Sequence, residues 1–107
     1  MKRYNIYCTF EQTKKALELG APIKYVSIGN IKKYHEPTAE QMIGWLEDQK
    51  LKINIAHVDM VEDCLSFHIY EGKDRDLAVK KGYNYSSRKE ATLAAIDAAL
   101  EYLSAHK

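Results

Sequence analysis

Cys64 and His68 are the residues whose types and spacing come nearest to a nucleophile and its base. The alternating stretch "CLSFHIYE" predicts a strand, in which residues i and i+4 share a face but lie about 13 Å apart. A thiol and an imidazole at that distance do not form a hydrogen-bonded pair. The sequence also contains no G-x-S-x-G turn, no H-E-x-x-H helix and no glycine-rich phosphate loop. We therefore predict that the protein is not an enzyme.

Histidines on neighbouring strands are a second possible source of chemistry, as metal ligands. A hairpin would bring His57 towards His68, and an acid of the intervening loop would supply a third ligand. However, the spacing matches none of the ligand patterns of zinc sites. Histidines on the polar face of a strand are most often half-exposed side chains, so we predict neither a metal site nor a cofactor.

Basic residues gather in the segment 72–89, which holds six Lys or Arg and two Asp, although the whole chain has a net charge of +1. A local basic patch is the feature that contacts nucleic-acid phosphates. Solvated loop lysines have the same composition, and that alternative stays open. The candidate nucleic-acid contacts are Lys80, Lys81, Arg88 and Lys89.

Tyrosines are frequent, with eight in 107 residues. A tyrosine combines apolar area with a polar tip, so tyrosines on the uncovered side of a sheet indicate a contact surface. Alternatively, the N-terminal part of the chain folds over that side and buries them. The candidate interface residues are Tyr70, Tyr83, Tyr85 and His68.

Three helices must position these residues, and each begins with a capping box. The paired residues are Thr9 with Gln12, Thr38 with Gln41, and Ser87 with Glu90. The first helix is expected from about Phe10 to Leu19. In the second helix Gly44 would permit a close contact with a neighbouring element. The third helix carries a strict apolar stripe formed by Leu93, Ile96, Leu100 and Leu103.

Period-two alternation predicts the strands. The four predicted strands are residues 23–29, 51–58, 64–71 and 77–85, and the segment between Gly29 and Pro37 is expected to be a loop with a little extended structure. In the last strand Tyr83 and Tyr85 have the same parity, which predicts that they share one face of the sheet.

The order of these elements predicts an α+β fold. Residues 37–107 form an αβββα unit, a three-stranded antiparallel meander with two helices packed on one face. Residues 1–36 are a helix and strand extension to it. We expect a single domain, since 107 residues can bury one core.

The cellular compartment is predicted from the N-terminal sequence and from the spacing of the cysteines. "MKRYNIYCTFEQ" has no apolar core of a secretory signal, and the sequence contains no apolar run of membrane-spanning length. Cys8 and Cys64 form no C-x-x-C unit and are expected to be free thiols. The protein is therefore predicted to be cytoplasmic.

The closing stretch "SSRKEATLAAIDAALEYL" resembles the last helix of double-stranded-RNA-binding domains, which share the αβββα order. Arg88 and Lys89 match that family's first two basic positions and Ala91 matches its alanine, while Thr92 stands at the third basic position. The stretch "DMVEDC" stands where the family has a Gly-Pro-x-His element. The resemblance implies binding of duplex RNA through the start of the last helix.

A second resemblance covers most of the chain. The blocks "CTFEQTKKALELGAPI", "PTAEQMIGWLE" and "SSRKEATLAAIDAALEYL" resemble small proteins of bacteriophages and mobile elements of gut bacteria, a family without an assigned activity. Together with the missing catalytic motifs, this favours a small non-enzymatic binding module that self-associates, with a protein partner or a second copy as its ligand. Duplex-RNA binding is the alternative.

Overall fold

The elements of the fold alternate between helices and antiparallel strands. The structure is a computed structural model that describes residues 6–57, 64–72 and 78–105. The helices are α1 (Phe10–Glu18), α2 (Ala39–Asp48) and α3 (Arg88–Ala105). The strands are β1 (Tyr25–Ile28), β2 (Ile31–Tyr34), β3 (Leu51–His57), β4 (Leu65–Glu71) and β5 (Lys80–Tyr85). The predicted α+β class is confirmed, and so is the αβββα order from α2 to α3.

The main sheet is an antiparallel meander in the order β3-β4-β5. Its register places Ile53 opposite Ile69 and Ile55 opposite Phe67. Strand alternation therefore collects these side chains on one face, which α2 and α3 cover. The residues of the buried cluster between sheet and helices include Met42, Leu46, Leu51, Phe67, Ile69, Ile96 and Leu100.

All three helices begin close to their predicted caps. Reciprocal capping boxes open α1 at Thr9 and α2 at Thr38. At α3 the Ser87 hydroxyl accepts from the Glu90 N–H at 3.1 Å, as expected. The Glu90 carboxylate, however, accepts from the hydroxyl of Ser86 at 2.7 Å, one residue further back than predicted. No helix within the described ranges is both long and apolar enough to span a membrane.

The segment expected to be a loop contains a strand. β2 pairs with β1 in a separate two-stranded sheet, with Ile28 opposite Ile31. Only Gly29 and Asn30 connect the strands, and Gly29 has a φ of 61°. A glycine at the first position of a two-residue connection is what a type II′ turn requires. The N-terminal extension is therefore a helix followed by a hairpin.

The N-terminal segment is attached to the helical side of the molecule. The Cys8 N–H donates to the Pro37 carbonyl at 3.0 Å, and the Ala39 N–H donates to the Ile6 carbonyl at 2.6 Å. α1 lies against α3, and of the elements described neither α1 nor the hairpin contacts the main sheet. The second face of the main sheet is therefore not covered by α1 or by the hairpin.

Strand β5 differs from its predicted course. Its pairing with β4 shifts register between Gly82 and Tyr85, and Asn84 has a φ of 70°. This bulge adds a residue, which reverses the alternation that follows it. The predicted first residue, Leu77, lies outside the described part of the chain, as do residues 58–63. The expected close contact at Gly44 is absent, because a Cβ there would meet no atom within 4 Å.

Candidate functional site

The uncovered face of the main sheet is the first candidate surface, and we call it the open face. It consists of the side chains that alternate with the buried ones. Its described members are Lys52, Asn54, Ala56, Ser66, His68, Tyr70, Lys81 and Tyr83. Most of them are exposed or half-buried, while Ser66 is buried and donates to the Ala56 carbonyl.

Three rings cluster at the centre of the open face. His68 and Tyr70 stand two residues apart on β4, with ring centroids 6.4 Å apart and an angle of 18° between the ring planes. Tyr83 of β5 meets His68 edge to face at 5.7 Å, and its hydroxyl lies 3.4 Å from His68 Nε2. Tyr83 keeps 48% of its surface exposed. The cluster is thus an accessible aromatic platform.

Positive charge borders the aromatic platform. Lys52 of β3 lies opposite Tyr70, and Lys81 of β5 lies opposite His68. Directly opposed residues of neighbouring strands have Cβ atoms about 5 Å apart, so each lysine is attached to the sheet next to a ring. Among the described positions of the open face there is no Asp or Glu. The face is therefore aromatic and cationic.

Tyr85 does not belong to the open face. The bulge turns it to the helical side, where its ring lies 5.7 Å from that of Phe67. The prediction that Tyr83 and Tyr85 share a face is therefore wrong. The structure brings together Tyr70, Tyr83 and His68 of the predicted interface. Their contact with a partner stays a prediction.

The four predicted nucleic-acid contacts do not share one face. Lys80 and Lys81 are consecutive on β5 and point to opposite sides of the sheet. Lys80 lies on the helical side, 4.0 Å from the Glu101 carboxylate of α3. Arg88 and Lys89 are exposed in the first turn of α3. The four residues are close in sequence, which suggested a single basic patch, but they do not form one surface.

The tip of the hairpin is the second candidate surface. Ile28 and Ile31, which flank its turn, are 69% and 71% exposed. Among the described elements only α1 contacts the hairpin, and it does so through β2. β1 therefore contacts no described helix or strand other than β2. Sequence reasoning missed this site, although "IGNI" contains the Gly-Asn pair that indicates a hairpin.

The residues with nucleophilic or metal-binding potential are dispersed. Cys8 is 2% exposed, and its burial, aided by the carboxylates of Asp97 and Glu36, raises its pKa to about 11. The thiol of Cys64 donates to the Asn84 amide oxygen at 3.5 Å. The side chain of His57 lies outside the described residues. Within the described ranges no three His, Cys, Asp or Glu side chains lie close enough to hold a metal ion.

A cleft of about 360 Å³ opens at the base of the hairpin. Its walls come from the segments on either side of the hairpin and from α2, and they include Pro22, His35, Pro37 and Trp45. The lining is mostly apolar. Polar groups also line the cleft, and they come from Lys24, His35, Glu36 and Gln41.

Comparison of the chain with protein-family models, with curated proteins and with solved structures finds no match. The resemblances to phage proteins and to double-stranded-RNA-binding domains therefore stay predictions. The open face and the tip of the hairpin are the candidate functional sites.

Proposed function

We propose that the protein is a non-enzymatic binding module that self-associates by pairing the β1 strands of two copies. The observation that carries this proposal is the hairpin, in which β1 contacts no described helix or strand other than β2 and whose tip exposes Ile28 and Ile31. A two-stranded hairpin is marginally stable alone, and an unpaired strand edge is a template for another strand.

The hydrogen-bonding pattern of the hairpin shows which backbone groups of β1 are free to pair with a further strand. The His35 N–H donates to the Lys24 carbonyl at 2.8 Å. Hydrogen-bonded pairs alternate along an antiparallel ladder, so the Val26–Lys33 and Ile28–Ile31 pairs also exchange bonds. The N–H and carbonyl groups of Ser27 therefore point away from β2. A second β1 strand would bond to these groups.

The two edges of the hairpin differ in a way that favours β1. β2 carries Lys32 and Lys33, and lysines on an edge strand oppose further pairing. β2 is also the strand that α1 contacts. β1, "YVSI", carries no charge. Pairing of β1 with β1 around a two-fold axis is self-complementary and closes at a dimer.

Paired proline variants test this proposal. Ser27→Pro removes an outward N–H of β1 while every hydrogen bond within the hairpin is kept, and Lys32→Pro does the same on β2. Light scattering during size-exclusion chromatography should give a dimer for the wild type and for Lys32→Pro, and a monomer for Ser27→Pro. The double variant Ile28→Lys/Ile31→Lys leaves the backbone unchanged and should also be monomeric. A monomeric wild type at high concentration would refute the proposal.

Duplex-RNA binding is the alternative, and the exposure of Arg88 and Lys89 at the start of α3 supports it. It predicts that Arg88→Glu/Lys89→Glu abolishes binding of an A-form duplex at low salt. The separation of Lys80 from Lys81 weakens it. The free cysteines agree with the proposed cytoplasmic location, and an origin in phages or mobile elements rests on the three sequence blocks.

A further inference from the structure

We infer that the open face binds single-stranded RNA, with bases stacked on the aromatic platform and phosphates held by Lys52 and Lys81. This goes beyond the self-association proposed above and uses a different surface. The strands supply the arrangement, because His68 and Tyr70 occupy alternate positions of β4, between the two edge strands.

The positions of the lysines suit an extended strand that crosses the sheet. Lys52 and Lys81 stand on the two edge strands and are offset by two residues, opposite Tyr70 and His68 respectively. With strands about 4.8 Å apart and a rise of about 3.3 Å per residue, their Cα atoms are about 12 Å apart. Both rings lie along the diagonal between them. Cations beside a group of stacking rings are the combination that single-strand binding sites use.

Charge decides between RNA and a second copy of this chain. Two open faces packed together around a two-fold axis would bring Lys52 and Lys81 of one copy onto a surface that is itself cationic. No carboxylate on the described part of the face would neutralise them. A polyanion is complementary to this surface.

Polar groups on the open face favour RNA over DNA. The exposed amide of Asn54 lies opposite His68, and the Tyr83 hydroxyl reaches His68 Nε2. Amide and hydroxyl groups beside a stacking platform are positioned to bond the 2′-hydroxyl, which distinguishes RNA from DNA. A duplex would present stacked bases, and the rings could not reach their faces.

Fluorescence anisotropy with labelled oligouridine, oligothymidine and an A-form RNA duplex tests this inference on the full chain at low salt. We expect oligouridine to bind tightest, with an affinity that falls with salt at a slope near −1.4 for two phosphate contacts. Tyr83→Leu should weaken binding about 10-fold, and Lys81→Gln should make the slope shallower by about 0.7. The matched controls are Tyr7→Leu, an exposed tyrosine outside the sheet, and Lys80→Gln on the opposite face of β5. Both should bind like the wild type.

Several results would overturn the inference: no binding of oligouridine, equal effects of Lys80→Gln and Lys81→Gln, or equal affinity for oligothymidine. Preferential binding of the duplex that is lost in Arg88→Glu/Lys89→Glu would assign nucleic acid to α3 instead. If Tyr83→Leu turned a dimer into a monomer, the open face would be a protein interface. The Ser27→Pro variant keeps the open face intact, so failure of self-association would leave the RNA measurement readable. Circular dichroism of each variant confirms that it is folded.

Discussion

The side-chain amide of Gln12 on α1 donates to the Asp97 carboxylate on α3 at 2.8 Å, across 85 residues of sequence. The same Nε2 donates to the Leu93 carbonyl at 2.8 Å, while Oε1 accepts from the Thr9 N–H at 3.0 Å. Gln12 is 2% exposed. One residue thus caps α1 and also fastens it to the closing helix.

Replacing Gln12 should therefore cost more stability than a cap alone. Gln12→Ala removes two hydrogen bonds to α3, one to the carbonyl of half-buried Leu93 and one to the carboxylate of exposed Asp97, which costs about 1–3 kcal/mol of the free energy of unfolding. Gln41 occupies the same capping position on α2 but is exposed, so Gln41→Ala should cost less than about 1 kcal/mol. Urea denaturation of both variants measures the difference. Equal losses would show that the bonds to α3 contribute nothing.

The pKa of Cys8 predicts a loss of stability at alkaline pH. Burial raises this pKa to about 11 in the folded protein, whereas the ordinary value is 9.0. Below pH 9 the thiol is neutral in both states, so its contribution is fully present. Between pH 9 and 11 the unfolded thiol ionises first, and the free energy of unfolding should fall by up to about 1.4 kcal/mol per pH unit.

Cys8→Ala isolates that effect from the tyrosines and lysines that titrate in the same range. The variant should be less stable at neutral pH because it loses buried volume. Its stability should nevertheless fall less steeply above pH 9 than that of the wild type. Denaturant titrations across this pH range give the free energy of unfolding of both proteins. If it fell equally steeply with pH in the wild type and in Cys8→Ala, the loss of stability could not be assigned to Cys8.

Two glycines predict opposite effects of the same substitution. A Cβ at Gly82 would collide with the ring of Phe67 and would lie 2.8 Å from the Tyr85 hydroxyl. Gly82→Ala should therefore destabilise by about 1–3 kcal/mol. At Gly44 a Cβ meets nothing, so Gly44→Ala should stabilise by about 1 kcal/mol through helix propensity. Thermal unfolding of the pair tests both signs.

The ends of α1 and α2 predict a further stabilising change. After the C-caps, Gly20 and Lys50 both take positive φ values, of 100° and 70°. A lysine in that region is strained and a glycine is not. Lys50→Gly should raise the free energy of unfolding by up to about 1 kcal/mol, and Gly20→Ala should lower it. A neutral Lys50→Gly in urea titrations would show that the strain is negligible.

Local patterns explain why much of the fold was predictable. A capping box joins residues three apart, and so Thr9 and Thr38 mark their helices whatever packs around them. Regular alternation on β4 likewise placed His68 and Tyr70 together on the face opposite the core. These features depend on neighbouring residues alone.

The rest depends on contacts that no local pattern encodes. The bulge arises where Asn84 adopts a left-handed conformation, which the sequence permits but does not demand, and it moved Tyr85 off the predicted face. β2 was not predicted as a strand because the consecutive charged residues Lys32 and Lys33 break the alternation of apolar and polar residues. Its partner β1 is nevertheless only a two-residue turn away. The position of α1 against the main unit depends on the hydrogen bonds that Gln12 donates to α3. For the candidate site, the sequence singled out His68 and Tyr70 of the central strand and Lys81 and Tyr83 of β5, but not Lys52 of β3.

The burial of Cys8 makes its alkylation rate a measure of local opening of the protein. An alkylating reagent can reach its sulfur only when the segment beside Pro37 lifts away from α2, whereas Cys64 is partly accessible. Intact mass measured over time would show a first adduct at Cys64 and then a second adduct at Cys8. The rate of the second addition reports how often the segment around Cys8 opens. If that rate follows global unfolding as urea is added, the N-terminal segment detaches only when the whole protein does. If it does not respond to urea, the segment detaches on its own while the remaining core stays closed.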